Sequence, residues 1–337
     1  MIALNISELV KSVFDSPKRL AIPIMTHPGI ESIGKTIIEA VSDGEVQFQA
    51  IKAIQEEYSP DAATMIMDLT VEAEAFGCRI NLSDKEIPSV GGRLVSDQES
   101  VEKLEIPSLE CARVPQYLKA ARLAVEHIGD KPVLAGCIGP FSLAGRLFGL
   151  TEIMTATFIE PDVIRLLLEK CSMFLSSYVK EMKRIGANGI LMAEPAAGLL
   201  SGEMCDNLSS TYIKRIVTDV QDRDFLFVLH NCGNMGHVTQ SMVSTGAGGL
   251  HFGNRINLVE VLKEVPDNIL VLGNLDPVSV FRSGTPGYVI EVTSELLRQT
   301  SDHRNFIISS GCDTPPGSPA ENMEAFFRAV RLFNARY

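Results

Sequence analysis

The sequence predicts an α/β protein: a (β/α)8 TIM barrel forming a single domain over residues 1–337, with an insertion after strand 2. Three observations predict it. Eight short, near-continuous apolar runs recur along the chain, as in strands buried on both faces of a parallel sheet. Longer segments of helical spacing separate most of them. The length, 337 residues, falls within the usual size of such barrels. An open doubly wound sheet is the competing arrangement. No Gly/Ser-rich linker and no short internal repeat divides the chain.

Taken in order, the first run is AIPIM from Ala21, followed by helical spacing over 34–58. The second is AATMIM from Ala62. The least regular stretch, 79–108, comes next and reads as the insertion, partly covering the barrel mouth. A helix is expected over 114–127, then the run PVLAGCI from Pro132, and then a helix over 161–185 that opens on a proline after Glu160. The run GILMA from Gly189 precedes a helix over 208–220. FLFVLH from Phe225, GGLHF from Gly248 and ILVLGN from Ile269 follow. The closing elements are a helix over 286–300, the run FIISSG from Phe306 and a helix over 319–333.

With 42 acidic against 30 basic residues the net charge is −12. No dense Lys/Arg run is present, which argues against nucleic acid and against an anionic membrane surface as partners. The amphipathic, charged N-terminal stretch lacks an apolar signal core, and no run approaches the ~20 apolar residues of a spanning helix. A cytoplasmic protein is expected. Seven cysteines, an odd number in a long chain, point away from a disulfide framework and leave metal binding or catalysis open for some of them.

In a barrel of this kind chemistry sits at the C-terminal ends of the strands, and polar residues concentrate there. His230 and Cys232, in LHNCGN, lie one residue apart where the chain leaves extended geometry, and Cys312 follows the last run in SSGCDTPPGSP. Two thiolates and one imidazole suit Zn2+, with a fourth position open for substrate. The alternative is a half-buried histidine and two core cysteines that never meet. Three strand-end carboxylates, Asp68, Glu194 and Asp276, are candidates for substrate or proton handling, although Asp276 before Pro277 suits a loop cap. Glu194 is read as a catalytic proton carrier or further ligand, and Asp68 as a catalytic residue that orients substrate. His27 and His251 are expected to line the pocket. The remaining cysteines, 78, 111, 137, 171 and 205, read as small apolar residues.

One motif competes. GIESIGKT, residues 29–36, matches the phosphate-loop pattern, with Lys35 placed to hold phosphates. Three residues, Thr26-His27-Pro28, separate it from the preceding run, and a nucleotide site would leave the His-x-Cys and Cys312 idle.

At these residues the chain resembles the uroporphyrinogen decarboxylase superfamily, and within it the methylcobamide:thiol methyltransferase branch of coenzyme M type. The resemblance covers the chain from about Pro23 to Phe333. PDAATMIMDLTVEAEAFGCRI resembles the segment that carries the substrate-binding aspartate of the decarboxylases, here Asp68. VLGNLDP, with Asn274, resembles the superfamily's Gly-Asn-Leu-Asp-Pro segment, and Asn274 is counted with His27 and His251 as substrate-binding. LHNCGN and SSGCDTPPGSPAENMEAF resemble the zinc signature of the methyltransferases. The resemblance implies a zinc-dependent methyltransferase in which His230, Cys232 and Cys312 hold the metal. The methyl group would come from a methylcobamide on a corrinoid carrier protein and pass to a small thiol. A homodimer is implied by analogy alone. The chain departs from the decarboxylases in having no arginine between Arg19 and Arg79, where those enzymes carry an Arg-rich motif for an acidic tetrapyrrole. Tetrapyrrole decarboxylation therefore stands as the competing activity, and phosphate-loop nucleotide binding as a more remote one.

Overall fold

The computed structural model describes residues 6–84 and 86–337. Among the described residues there are nine strands: β1 (Ala63–Thr64), β2 (Ile80–Asn81), β3 (Ser89–Val90), β4 (Val133–Ile138), β5 (Gly189–Ala193), β6 (Leu226–Asn231), β7 (Gly249–Phe252), β8 (Leu270–Leu275) and β9 (Phe306–Ser310). Seven form one parallel sheet in the order β1-β4-β5-β6-β7-β8-β9. Apart from the β2–β3 pair, which falls between β1 and β4, strands adjacent in the sheet follow one another along the chain, because each is linked to the next by a helical crossover.

The run from Ala21 was expected as a strand of the same kind, and it forms only one parallel bridge, Ala21 to Ile308. Ile22 donates to the Ile308 carbonyl at 3.0 Å, and Ile308 donates to that of Leu20 at 3.0 Å. The ladder stops there because the next rung would need the Ile24 N–H on the Ser310 carbonyl. The next donor, Ile24 N–H, goes to the Ser310 hydroxyl at 3.0 Å. On its other side the segment meets β1: Asp61 N–H donates to the Ala21 carbonyl at 3.0 Å, and Thr64 Oγ1 donates to that of Pro23 at 3.2 Å.

The inward-facing side chains form their own apolar cluster. Ile22, Ile24, Ala62, Leu134, Leu191, Val228, Leu270, Leu272 and Ile307 meet there, with Val13 of the helix Ile6–Asp15 at one end. A second cluster, between sheet and surrounding helices, is dominated by fully buried aromatics such as Phe141, Phe174, Phe227, Phe281 and Phe326. Each such ring contributes on the order of 1.5–3 kcal/mol by leaving water. The helices Val114–His127 and Pro161–Ile185 occupy the expected residues. The expected helix over 34–58 is broken into Ile37–Ser42 and Gly44–Tyr58, because Asp43 takes an extended conformation and caps Glu45 N–H at 2.9 Å.

The irregular stretch over 79–108 carries the antiparallel pair β2–β3 and the helix Gln98–Lys103. Lys170 holds that helix by its C-terminus, donating to the carbonyls of Val101, Glu102 and Leu104 at 2.8, 2.8 and 2.6 Å. The same stretch lays Ile87 and Pro88 against a cavity at the C-terminal ends of the strands.

Candidate metal centre and its cavity

β6 is apolar through Leu229 and buried from Phe227 on, and its penultimate residue, His230, is placed beside His251 of β7 by the strand register. Just beyond it the Asn231 side chain accepts from Gly233 N–H at 2.9 Å, an Asx turn that bends the chain at once. Cys232 thereby turns to the side of His230. The approach is close: a Cβ on Gly253, just past β7, would lie 2.7 Å from Cys232 Cα, so only glycine fits there. Cys312 arrives from β9 through Gly311, where a Cβ would lie 2.7 Å from Asn254 N. The outcome is that the ligand atoms of His230, Cys232 and Cys312 all lie within 4.8 Å of one another.

The hydrogen bonds around His230 decide which of its nitrogens faces the cysteines. Ser309 spends its one proton on the Ile22 carbonyl at 2.7 Å. Its oxygen therefore accepts from His251 Nε2–H at 2.9 Å. Burial and the neighbouring His230 hold the His251 pKa well below 6.5, so His251 is neutral and its Nδ1 carries a lone pair. His230 Nδ1–H then donates to it at 2.8 Å. His230 Nε2 is left as a bare lone pair, fully buried and without a hydrogen-bond partner. An imidazole prepared in this way is the usual form of a histidine metal ligand. The two thiols lie close together, and their interaction holds Cys232 below the ordinary thiol range and pushes Cys312 above it. Two neighbouring sulfurs beside an imidazole lone pair are a donor set that fits Zn2+.

The three donors border a cavity of about 150 Å3 that Thr26, His27, Ile66, Asp68, Arg146 and Asp313 also line. It joins an outer cleft of about 350 Å3 through the shared residues Leu69, Arg146 and Pro195. Asp68 reaches the cavity but is fully engaged. It pairs with Arg113 and accepts from Tyr117 Oη at 3.2 Å, Thr70 N at 2.9 Å and Thr70 Oγ1 at 2.6 Å. His27 lies in the wall with Nε2 3.9 Å from Asp313, whose carboxyl pKa burial raises.

The other candidates are placed outside the cavity lining. Glu194 is buried with Oε1 on the N-terminus of the helix Pro140–Phe148, accepting from Phe141 N at 2.8 Å and Ser142 N at 3.1 Å. Burial raises its pKa to about 8. Its Oε2 has no partner, and it is not part of the three-ligand group. His251 stands behind His230. Asn274 ties β8 to the following loops, donating to the Gly253 and Ile256 carbonyls at 2.9 Å each. Asp276 is a cap, accepting from Val278 N and Ser279 N.

Of the remaining cysteines, Cys78, Cys137, Cys171 and Cys205 are buried and Cys111 is half-buried. The GIESIGKT residues do not form a phosphate loop. Residues 26–32 are helical, Lys35 N–H bonds to the Ile30 carbonyl at 3.1 Å, and Lys35 Nζ pairs with Glu39 at 2.7 Å on the surface.

Sequence reasoning passed over Arg113, the counter-ion of Asp68, and Ser309, which sets the histidine tautomers. It also passed over Arg146, whose one signal is its isolation in the otherwise uncharged stretch GPFSLAGRLFGL.

Against known proteins, the family model of uroporphyrinogen decarboxylase matches residues 18–333. The chain belongs to this family. A curated relative, the methylcobamide:CoM methyltransferase MtbA of Methanosarcina acetivorans, is 32% identical over 308 residues, 90% of this chain and 89% of the relative. The uroporphyrinogen decarboxylase of Synechococcus sp. (strain CC9605) is 26% identical over 81% of this chain and 78% of its own. Among solved structures, a methyltransferase from Methanosarcina mazei superposes with a TM-score of 0.88 at 23% identity, covering 99% of each chain. The family thus holds methyltransferases and decarboxylases, and this chain is similar to both. Among the described residues no helix is long and apolar enough to cross a membrane.

Proposed function

We propose that the chain is a zinc-dependent methyltransferase that moves a methyl group from a methylcobamide to a thiol. The observation that carries this reading is the meeting of His230, Cys232 and Cys312 within 4.8 Å, with the His230 Nε2 lone pair presented and unpartnered. The methyl donor and the coenzyme M acceptor in the printed name of the relative at 32% identity support it. The same reading takes residues 20–24 as the eighth strand that closes the barrel and 79–108 as an insertion at its mouth.

His230, Cys232 and Cys312 would hold the metal. Bound there, zinc supplies a cation that favours the deprotonated form of a thiol at neutral pH. In the overall reaction the bond from cobalt to carbon breaks, a bond from carbon to sulfur forms, cobalt keeps the electron pair and the thiol proton is released. The chain's own residues prepare this. The Ser309–His251 pair fixes the His230 ring and its tautomer. The apolar wall of Ile30, Ile37, Val41 and Ile66 keeps water from the sulfur. The outer cleft, lined by Leu69, Leu150 and Leu199, is where a corrinoid carried on its own protein would bring the methyl group. Glu194, protonated near neutral pH and lodged behind the cavity wall, takes the part of a proton reservoir.

Decarboxylation of a tetrapyrrole is less well served. Its Asp68 would have to be released from Arg113 and Tyr117, and Arg146 is the one lysine or arginine among the described residues lining the cavity and the cleft. A substrate bearing many carboxylates would lack counter-charges.

The test is anaerobic incubation of the purified protein with methylcobalamin and 2-mercaptoethanesulfonate, followed by the absorbance of the corrinoid and by mass spectrometry of the thiol. The reading expects catalysed loss of methylcobalamin matched by methylated thiol. No turnover with a zinc-replete protein, together with decarboxylation of a uroporphyrinogen, would overturn it.

A further inference from the structure

Arg146 lies in the helix Pro140–Phe148, where every other residue is buried and uncharged. It lines both the cavity that holds the three metal-ligand candidates and the outer cleft. A half-buried guanidinium normally finds a carboxylate, because its five donors are costly to withdraw from water unpaired. This one makes no hydrogen bond and no ion pair with any described residue, and burial pushes its pKa down from 12.5. The two carboxylates of the cavity are committed elsewhere. Asp68 is held by Arg113, Tyr117 and Thr70. Asp313 accepts from Thr26 N at 2.9 Å and faces His27. The sequence thus maintains, in the wall of a small cavity that two thiols and an imidazole also line, a cation that no described residue ion-pairs or hydrogen-bonds, with the committed Asp68 carboxylate acting on it only at longer range.

We propose that Arg146 is the specificity-determining residue for the methyl acceptor: the thiol is a short one carrying a sulfonate or carboxylate, whose anionic group pairs with the Arg146 guanidinium while its sulfur lies against Cys232 and Cys312. This rests on the methyltransferase reading and deepens it. The planar fork of arginine matches two oxygens of such a group at once, and lysine would serve it less well. The small cavity limits the acceptor to a few carbons between sulfur and anion. Arg146 contributes position and selection, and the methyl transfer itself leaves it unchanged.

The experiment compares 2-mercaptoethanesulfonate and 3-mercaptopropionate with the neutral 2-mercaptoethanol, using methylcobalamin as donor, in the wild type, Arg146→Gln and Arg146→Lys. The wild type should favour the anionic thiols in kcat/KM by about 10- to 100-fold, the range of one charge-assisted pair. Arg146→Gln should abolish that preference with zinc content unchanged, and Arg146→Lys should restore part of it. Ethanesulfonate, which has no sulfur to methylate, is titrated calorimetrically in parallel. It should bind the wild type and bind Arg146→Gln at least tenfold more weakly. An unchanged preference in Arg146→Gln overturns the proposal. So does a change confined to the KM of methylcobalamin, which would assign the guanidinium to an anionic group of the donor. Absence of methyl transfer to all three thiols would sink the methyltransferase reading, and the ethanesulfonate titration still decides whether Arg146 is an anion site.

Discussion

Replacing His251 with phenylalanine keeps a ring of similar size and deletes the acceptor that fixes His230. In the native arrangement His230 Nδ1–H donates 2.8 Å to His251, with both side chains buried. The variant has two options. It can leave that N–H unpaired, at a cost of roughly 1–3 kcal/mol for a buried donor without a partner. It can instead move the proton to Nε2, which removes the lone pair that faces Cys232 and Cys312. Either way zinc affinity should fall by about 10- to 100-fold, the usual consequence of losing the hydrogen-bond partner of a ligand histidine. Ser309→Ala acts one bond further away and should cost less than about tenfold on the same grounds. The assay is competition for zinc against a chelator of known affinity, with circular dichroism to show that the variants fold. A folded His251→Phe protein that binds zinc within about twofold of the wild type would refute the tautomer relay.

Three further predictions follow from other parts of the structure. Gly253→Ala places a methyl group 2.7 Å from Cys232 Cα and should lower zinc content by displacing that cysteine, while unfolding remains cooperative; full zinc occupancy would show that the turn yields without consequence. Glu72 is buried, accepts from Ile138 N–H at 3.0 Å, and has its pKa raised to about 7 by burial. Because the folded value lies above the unfolded one, the native state holds the extra proton between about pH 4.5 and 7, and its stability falls as pH rises through that window. Glu72→Gln should remove this term, gaining up to about 3 kcal/mol over the wild type near pH 8 and little at pH 5; parallel pH–stability curves from urea unfolding would contradict it. Arg113→Leu strands the buried carboxylate of Asp68 and should cost about 3–5 kcal/mol in urea unfolding, and a loss below about 1 kcal/mol would show that Asp68 finds another partner.

What could be read from the sequence was set by how local its cause is. The strands β4 to β9 were legible because continuous apolar runs report burial on both faces, and each lies within a residue or so of its expected place. The run from Ala21 was legible as a buried segment and not as a bridge, because its ladder ends where a side chain of another strand, Ser310, takes the Ile24 N–H. The meeting of His230, Cys232 and Cys312 was legible because His-x-Cys marks a strand end directly, and the glycines at 253 and 311 that admit them are intelligible only once the neighbouring loops are in place. His251 and Asn274 were recognised as strand-end residues. Their partners, the His230 ring and two loop carbonyls, come from other strands and loops, so the sequence alone could not say that they stand behind the cavity. The phosphate-loop pattern of residues 29–36 is the converse case: its letters match, yet Lys35 and Glu39 sit four residues apart on a surface and pair there. Arg146 could be noticed only as an oddity, since an unpaired charge is defined by what all its neighbours do.

Elemental analysis of the purified protein beside Cys312→Ser decides whether His230, Cys232 and Cys312 form one metal centre. Purified without chelators, the wild type should carry about one zinc per chain, as expected of a single three-ligand site with an open fourth position, and the folded variant should carry far less. Absence of zinc from the wild type, or equal zinc in both proteins, would contradict it.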